Sequence, residues 1–267
     1  MREYQLPDNC RGTILERIVQ AKVLELQDLS LHSLEARLEN APAVRPFRNA
    51  IESRFPAVIA EIKKASPSAG VIRPDFDPSG IARDYSEAGA AALSVITEVR
   101  HFQGALEILS GLRRESPLPL LRKDFIIDRR QVLEARHAGA DAVLLIAALL
   151  DLQSLEGLRS EAERLGMEAL VEVHNSQELD KAVAAGATLI GVNSRDLRTF
   201  EVSLDVALEL APEIPAGAFA VAESGIRTPD DIQRLSAAGY SGFLVGEHLM
   251  RAPSPGAALA ALLGART

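Results

Sequence analysis

Short apolar runs recur along the chain, each preceded by a glycine that follows a helix-like stretch. Four copies of this pattern begin with Ala-Gly and occupy residues 88–95, 138–145, 185–192 and 238–245, and a looser copy lies at 165–171. Glycine favours the left-handed conformation that ends many helices. A continuous apolar run of this length is typical of a strand buried on both faces. The repeat therefore predicts alternating helices and parallel strands.

Three further apolar runs complete the series, at residues 57–62, 118–121 and 218–222. Together with the repeat copies they make eight candidate strands, each followed by a helical stretch. Parallel strands joined by helices imply right-handed crossovers, and eight such units close into a (β/α)8 barrel, the TIM barrel of the α/β class. An open doubly wound sheet is the alternative. The count of eight and the lack of a GxGxxG motif after the first strand favour the barrel.

The first 50 residues lie outside this count and predict a helical extension. Thr13 and Glu16 form a capping-box pattern ahead of apolar residues at helical spacing, and Leu31, Leu34 and Leu38 predict a second helix. We expect both helices to pack on one end of a barrel that occupies residues 57–267, and the extension to contribute to substrate binding. Because no Gly/Ser-rich linker interrupts the sequence, we predict a single domain over residues 1–267.

Composition narrows the possible functions. Of the 267 residues, 47% are hydrophobic and 25% charged, as in an ordinary soluble globular protein. The formal net charge of −8 gives no field that favours nucleic acid. The one cysteine, Cys10, excludes an intramolecular disulfide and a cysteine-based zinc site, and no apolar run is long enough to span a bilayer. We expect a cytoplasmic protein with no nucleic-acid or membrane partner, monomeric by default, with a homodimer as the alternative.

Charged and polar residues stand where the predicted strands end, and in a barrel these ends form the functional face. They are Glu61 and Lys63 on the first strand, Lys123 on the third, Glu172 on the fifth, Asn193 on the sixth and Glu223 on the seventh. Because an unpaired charge inside an apolar strand is costly, three glutamates and two lysines on one rim indicate a catalytic or binding site. A salt-bridge network that merely closes the barrel mouth is the alternative.

The loops after the seventh and eighth strands suggest a phosphate-binding site. Ser224, Gly225 and Gly246 lie at the positions where barrels commonly hold phosphate. Backbone N–H groups at glycine allow an anion to approach closely. Together with the cationic rim, these loops predict a phosphorylated small-molecule substrate.

Six segments, in this order along nearly the whole chain, resemble the indole-3-glycerol phosphate synthase family. The segments are TILERIV at 13–19, IAEIKKASPS at 59–68, LRKDFI at 121–126, LVEV at 170–173, GVNSRDL at 191–197 and VAESGI at 221–226. The resemblance implies conversion of 1-(2-carboxyphenylamino)-1-deoxyribulose 5-phosphate to indole-3-glycerol phosphate, with loss of carbon dioxide and water, in tryptophan biosynthesis. It also implies that no cofactor or metal is needed. The five histidines form no clear ligand cluster, and His101, His174 and His248 show no partner pattern.

The resemblance also implies roles for the rim residues. Lys123 would be the general acid that protonates the substrate carbonyl, and Glu172 would accept or donate a proton in the later dehydration. Lys63 would hold the carboxylate that is lost and is a second candidate for proton transfer. Which lysine acts at which proton-transfer step therefore stays open. Glu61 and Asn193 would orient the catalytic groups and bind hydroxyls, with Glu223 assisting.

The remaining implied residues bind the two ends of the substrate. The phosphate contacts would come from Ser66, Ser224, Gly225, Gly246 and, through its backbone N–H, Glu247. The aryl pocket would be lined by Phe102, Phe125, Leu144 and Leu197, with Arg195 near the carboxylate side. The segment 97–102 departs from the family pattern, because His101 replaces the first aromatic residue of a pair.

Two other functions compete with this interpretation. A phosphoribosylanthranilate isomerase would use a cysteine and an aspartate as its acid–base pair, but Cys10 lies outside the predicted barrel. A barrel that has lost catalysis and serves as a scaffold would have broken strand-end residues, whereas all of the expected ones are present.

Overall fold

Eight parallel strands close into a barrel in the computed structural model, which describes residues 4–196 and 198–264. The strands are β1 (Ala57–Ile62), β2 (Ala92–Ile96), β3 (Leu120–Lys123), β4 (Ala142–Ile146), β5 (Glu168–Val173), β6 (Leu189–Asn193), β7 (Phe219–Glu223) and β8 (Gly242–Val245). Each strand pairs with the next along the chain, and β8 closes the barrel on β1 with Ala57 opposite Gly242. The predicted TIM barrel is confirmed.

Helices alternate with these strands. They are α1 (Ile14–Glu25), α2 (Leu31–Arg37), α3 (Phe47–Glu52), α4 (Pro78–Glu87), α5 (Leu106–Glu115), α6 (Arg129–Ala138), α7 (Leu152–Arg164), α8 (Ser176–Ala184), α9 (Asp205–Leu210), α10 (Pro229–Ala237), α11 (Glu247–Arg251) and α12 (Pro255–Leu262). Short 3₁₀ segments lie at Asp8–Cys10, Leu26–Asp28, Leu38–Asn40, Ala147–Leu149 and Ala211–Glu213. The repeat glycines behave as predicted: Gly139, for example, caps α6 with a φ of 92°. None of the helices in the described part of the chain is long and apolar enough to cross a membrane.

The strands are buried on both faces, which explains why they appear as continuous apolar runs. Every residue of β1 and β4 is buried. One face fills the barrel interior and the other supports the surrounding helices, so the interior is a packed core. Polar side chains enter this core at the carboxyl ends of the strands, where the site described below begins.

The extension runs from one end of the barrel to the other. At the carboxyl ends of the strands, Lys22 on α1 pairs with Asp124, which follows β3. At the opposite end, Arg48 on α3 donates a hydrogen bond to the carbonyl of Thr188, just before β6. The helix α3 was not predicted by the sequence pattern.

Between these ends, α2 lies along the outside of the barrel against α6. Arg130 donates to the carbonyl of Leu26 at one end of this segment, and Arg136 donates to that of Pro42 at the other. Arg129 pairs with Glu35 in between. The expectation that both extension helices pack on one end is therefore wrong for α2, because its charged partners lie along the side of α6.

Candidate active site

A cavity of about 740 Å³ opens at the carboxyl ends of the strands. The predicted site residues that line it are Glu61, Lys63, Ser66, Phe102, Lys123, Phe125, Leu144, Glu172, Asn193, Arg195, Glu223, Ser224, Gly225, Gly246 and Glu247. Leu197, also predicted for the aryl pocket, lies outside the described residues. The extension contributes Ile14, Leu15 and Ile18 of α1 to the cavity wall.

The ammonium group of Lys123 lies between two buried carboxyl groups. Its Nζ is 2.8 Å from Oε2 of Glu172 and 3.3 Å from Oε2 of Glu223. Lys123 ends β3, while Glu172 is the fifth residue of β5 and Glu223 ends β7. Strands that are not neighbours thus bring the three groups together across the barrel mouth. The two glutamates are almost entirely enclosed, with side chains only 1–2% exposed.

Burial and charge separate the protonation states of these three groups. Burial alone would lower the pKa of Lys123, but the negative charges of Glu172, Glu223 and Glu61 outweigh it and raise the pKa above its ordinary value. Burial would raise the pKa of Glu172, but Lys123 and His174 hold it well below its usual range. Burial and the charge of Glu172, against the opposing charge of Lys123, raise the pKa of Glu223 to about 8. At neutral pH the site therefore holds a charged donor, a charged acceptor and a neutral carboxyl group.

The raised pKa of Glu223 gives a prediction for stability against pH. Glu223 keeps a proton in the folded protein that it releases in the unfolded chain above about pH 4.5. The stability that this proton confers is complete below about pH 4.5 and is lost as the pH rises through about 8. In Glu223→Gln this group no longer titrates. We expect the free energy of unfolding of the parent protein to fall by ~1 kcal/mol or more, relative to that of the variant, between about pH 5 and pH 8.5. Urea unfolding at both pH values measures this difference.

Glu209→Gln serves as the control for this measurement, because Glu209 is an exposed glutamate on α9. It should follow the parent protein at both pH values. An equal fall in Glu223→Gln and the parent protein would contradict the assigned protonation state of Glu223.

A second ion pair lies at the end of β1. Nζ of Lys63 is 2.7 Å from Oε1 of Glu61, as expected from their alternation along the strand. Two glycines leave room for the carboxylates of this site: a Cβ atom at Gly246 would collide with Glu61, and one at Gly191 would collide with Glu223. Gly246 was among the site residues predicted from the sequence, and Gly191 was not.

The loops after β7 and β8 have the backbone geometry expected of a ligand site. Ser224 and Gly225 both have positive φ, 65° and 81°, and strained non-glycine residues such as Ser224 cluster at such sites. Gly246 leads directly into α11, whose first N–H groups have no partner within the helix. These features lie side by side because β7 and β8 are neighbours in the barrel.

Arg195 and Glu247 connect these loops to the end of β6. Nη2 of Arg195 is 3.1 Å from Oε2 of Glu247, and Nε of Arg251 is 3.0 Å from Oε1 of Glu247. Both carboxylate oxygens of Glu247 are thus paired with arginines. A ligand in the cavity would therefore contact the backbone N–H of Glu247 and not its side chain. Oδ1 of Asn193 accepts a hydrogen bond from the backbone N–H of Arg195 and orients the start of this loop.

The aromatic wall is formed by Phe102 and Phe125, whose ring centroids are 6.0 Å apart at an interplanar angle of 41°. The fully buried Glu98 fixes this wall, because its carboxylate accepts hydrogen bonds from the backbone N–H groups of Arg100, His101 and Phe102. Glu98 was not predicted from the sequence, because a glutamate just beyond the end of an apolar strand gives no indication of which loop it will bind.

Two further groups have partners that were not predicted from the sequence. His174 lies against Glu172 and Glu178, and Nδ1 of His101 lies 3.3 Å from Oε1 of Glu98, which corrects the expectation that these two histidines have no partner. The spacing of His174 from Glu172 is the same as that of Lys63 from Glu61, and this pattern could have revealed the pairing of His174.

Asp124, next to Lys123, is buried between Lys22 and Arg122, at 2.9 and 3.1 Å, so α1 is tied directly to the end of β3.

Over residues 4–196 and 198–264, no group of three or more histidine, cysteine, aspartate or glutamate side chains is arranged to hold a metal ion.

The chain matches known proteins over most of its length. The family model described as indole-3-glycerol phosphate synthase matches residues 15–262. A relative of that name from Albidiferax ferrireducens is 49% identical over 257 residues, covering 93% of this chain and 97% of its own. Another of that name, from Laribacter hongkongensis, is 51% identical over 258 residues, covering 93% and 98%.

A comparison of structures supports the fold alone. The crystal structure of a 3-hexulose-6-phosphate synthase aligns with a TM-score of 0.64 at 16% identity, covering 79% of this chain and 100% of that one. At this identity the likeness extends to the barrel and not to its chemistry.

Proposed function

The chain belongs to the indole-3-glycerol phosphate synthase family of decarboxylating lyases, and from this premise we propose how the residues of its barrel mouth close the indole ring. The reaction converts 1-(2-carboxyphenylamino)-1-deoxyribulose 5-phosphate to indole-3-glycerol phosphate, carbon dioxide and water. The observation that carries the proposal is the Lys123 ammonium group held between Glu172 and Glu223 in the cavity.

Ring closure is the first step. The aryl carbon that bears the carboxylate attacks the ketone carbon of the deoxyribulose chain, and negative charge develops on the ketone oxygen. Lys123 donates its proton to this oxygen, which becomes a hydroxyl group. Its two carboxyl neighbours hold the ammonium in place before the substrate arrives.

Loss of carbon dioxide is the second step. The bond between the ring and the carboxylate breaks, and its electron pair restores the aromatic ring. This step needs the carboxylate to be positioned more than activated. Lys63, held by Glu61, supplies the positive charge for that purpose.

Dehydration is the third step. Glu172 removes the proton from the carbon next to the nitrogen, and the hydroxyl group made in the first step leaves as water after protonation. Glu172 is suited to this role because Lys123 and His174 keep it ionised. The neutral carboxyl group of Glu223 is a second proton donor within the same cluster.

The two ends of the substrate bind on different walls. Its phosphate binds backbone N–H groups of the loops after β7 and β8, at Ser224, Gly225, Gly246 and Glu247, with the buried Ser66 on the adjacent loop after β1. Its aryl ring packs on Phe102, Phe125 and Leu144. Asn193 contacts the hydroxyl groups between them, and Arg195 carries positive charge on this side.

The wall contributed by α1 yields a prediction for binding. Ile14→Ala removes apolar surface that faces the cavity, and we expect KM to rise about 3- to 10-fold with kcat little changed, as for loss of uniform binding. Steady-state kinetics measures this split. Deleting the whole extension is a poorer test, since it would also leave Asp124 buried without Lys22.

Val23→Ala is the matched control on the same helix, because Val23 is 36% exposed and does not line the cavity. It should leave KM unchanged. If the KM of Ile14→Ala equals that of Val23→Ala, then α1 does not contribute to substrate binding.

The reaction itself is tested by indole fluorescence. Purified protein incubated with the carboxyphenylamino-deoxyribulose phosphate should generate an indole signal in parallel with stoichiometric carbon dioxide. A well-folded protein that produces neither indole nor carbon dioxide would refute the proposed mechanism and favour a non-catalytic barrel.

We further propose that the enzyme acts in the cytoplasm as a monomer, with no nucleic-acid or membrane partner. The net charge of −8 supports the absence of a nucleic-acid partner. Light scattering that gives the mass of two chains would replace the monomer with the homodimer.

A further inference from the structure

The ring of His174 lies between two carboxylates. Its Nδ1 is 2.9 Å from Oε2 of Glu178, and its Nε2 is 3.3 Å from Oε1 of Glu172, the latter an ion-pair contact without hydrogen-bond alignment. A neutral imidazole carries one N–H and would turn the lone pair of its other nitrogen toward a carboxylate oxygen. The placement therefore fits an imidazolium ion that carries a proton on both nitrogens.

Glu178 is itself firmly held. It is the third residue of α8, and its carboxylate accepts hydrogen bonds from the backbone N–H of His174 at 2.9 Å and from Nδ2 of Asn175 at 3.0 Å. Glu178 is also buried. The ring of His174 is thus fixed from the side opposite to Glu172.

We propose that His174, anchored by Glu178, is a positioning residue that keeps Glu172 ionised and aimed into the cavity while Lys123 is engaged with the substrate. The two oxygens of Glu172 have different partners, since Oε2 contacts Lys123 and Oε1 lies against His174. When Lys123 gives up its proton in ring closure, Glu172 loses one cationic neighbour and retains the other. This inference rests on the proposed role of Glu172 as a base.

The surrounding charges agree with this role. The groups that face the pair are Lys123 from β3, Glu223 from β7 and Glu178 from α8, with Glu61 acting through Lys123. Glu178 in turn acts on Cys10, in the segment before α1, as does Lys181 of α8. With Glu223 neutral, the signs alternate along Glu178, His174, Glu172 and Lys123. Burial would lower the pKa of His174, but the neighbouring carboxylates of Glu172 and Glu178 raise it to about 10.

A double-mutant cycle tests whether His174 acts through Glu172. We expect His174→Gln to lower kcat about 10- to 100-fold with KM nearly unchanged, because the base is displaced and more readily protonated. The acid limb of the pH profile of kcat should move upward by about 1–2 pH units. Adding His174→Gln to Glu172→Gln should cause no further loss.

The controls separate this role from a structural one. His137→Gln alters a half-buried histidine in the last turn of α6, outside the cavity, and should leave kcat and its pH profile unchanged. Glu178→Gln should move the acid limb in the same direction as His174→Gln. An acid limb at the parental pH in His174→Gln, or losses that multiply in the double variant, would overturn the proposal.

A measurement without substrate keeps this test independent of the proposed reaction. Nitrogen-15 NMR of the parent protein should show both ring nitrogens of His174 protonated at about pH 8, and one nitrogen deprotonated in Glu178→Gln at that pH. A neutral ring in the parent protein would overturn the inference. Failure of the parent protein to form indole would instead overturn the proposed function.

Discussion

Lys123→Met is expected to lower kcat/KM by about 10⁴-fold while the barrel stays folded. The loss combines two effects at one atom, since the ammonium group both stabilises charge on the ketone oxygen and delivers a proton to it. Methionine preserves the volume of the side chain. It leaves Glu172 and Glu223 as a buried carboxyl pair, and such a pair can share a proton, so the fold does not have to hold two unpaired charges.

The measurement is steady-state indole formation, with thermal unfolding to confirm the fold. Lys64→Ala is the matched control, because Lys64 follows Lys63 in sequence and does not line the cavity. It should retain near-parental turnover. A Lys123→Met enzyme with more than about one tenth of the parental kcat/KM would assign the general acid elsewhere, with Lys63 the next candidate.

Glu172→Gln is expected to lower kcat for indole formation by about 10³-fold, because glutamine keeps the shape of the side chain but cannot accept the proton. The step affected follows the loss of carbon dioxide. In a single turnover, carbon dioxide should therefore be released well before indole appears. In Lys123→Met the two products should be lost together, since ring closure precedes both.

Glu168→Gln is the control for this variant, because Glu168 begins the same strand, β5, at the opposite end of the barrel. It should release both products at the parental rate. Simultaneous slowing of carbon dioxide and indole in Glu172→Gln would place Glu172 at or before ring closure.

The barrel was predictable because its signals are local. Each repeat contains a glycine and an apolar run next to one another, and both strand burial and the helix ends follow from that adjacency. The strand-end residues were predictable for a related reason: the fold gathers the carboxyl ends of all the strands at one face, whatever the contacts between them.

The parts that were missed depend on pairings over long stretches of chain. The ion pair of Lys22 and Asp124 joins residues about a hundred positions apart, and nothing in the sequence around either residue predicts this pairing. The route of α2 along α6 is likewise set by partners such as Arg129 and Arg136 that local patterns do not connect to it. The protonation state of Glu223 needs three strands to be assembled before it can be inferred.

The path of the first 50 residues also orders the assembly of the enzyme during synthesis. Tyr4 bonds to the carbonyl of Leu149, Arg45 to the side chain of Asp141, and Arg48 to the carbonyl of Thr188. This segment precedes the barrel in the chain, and it thus finds these three partners only after about half or more of the 267 residues have been synthesised. Contacts of such high sequence separation form late, because the intervening loop must first be closed. The apolar wall that α1 gives to the cavity is therefore put in place only after several barrel strands have emerged, and nascent chains carry it exposed until then.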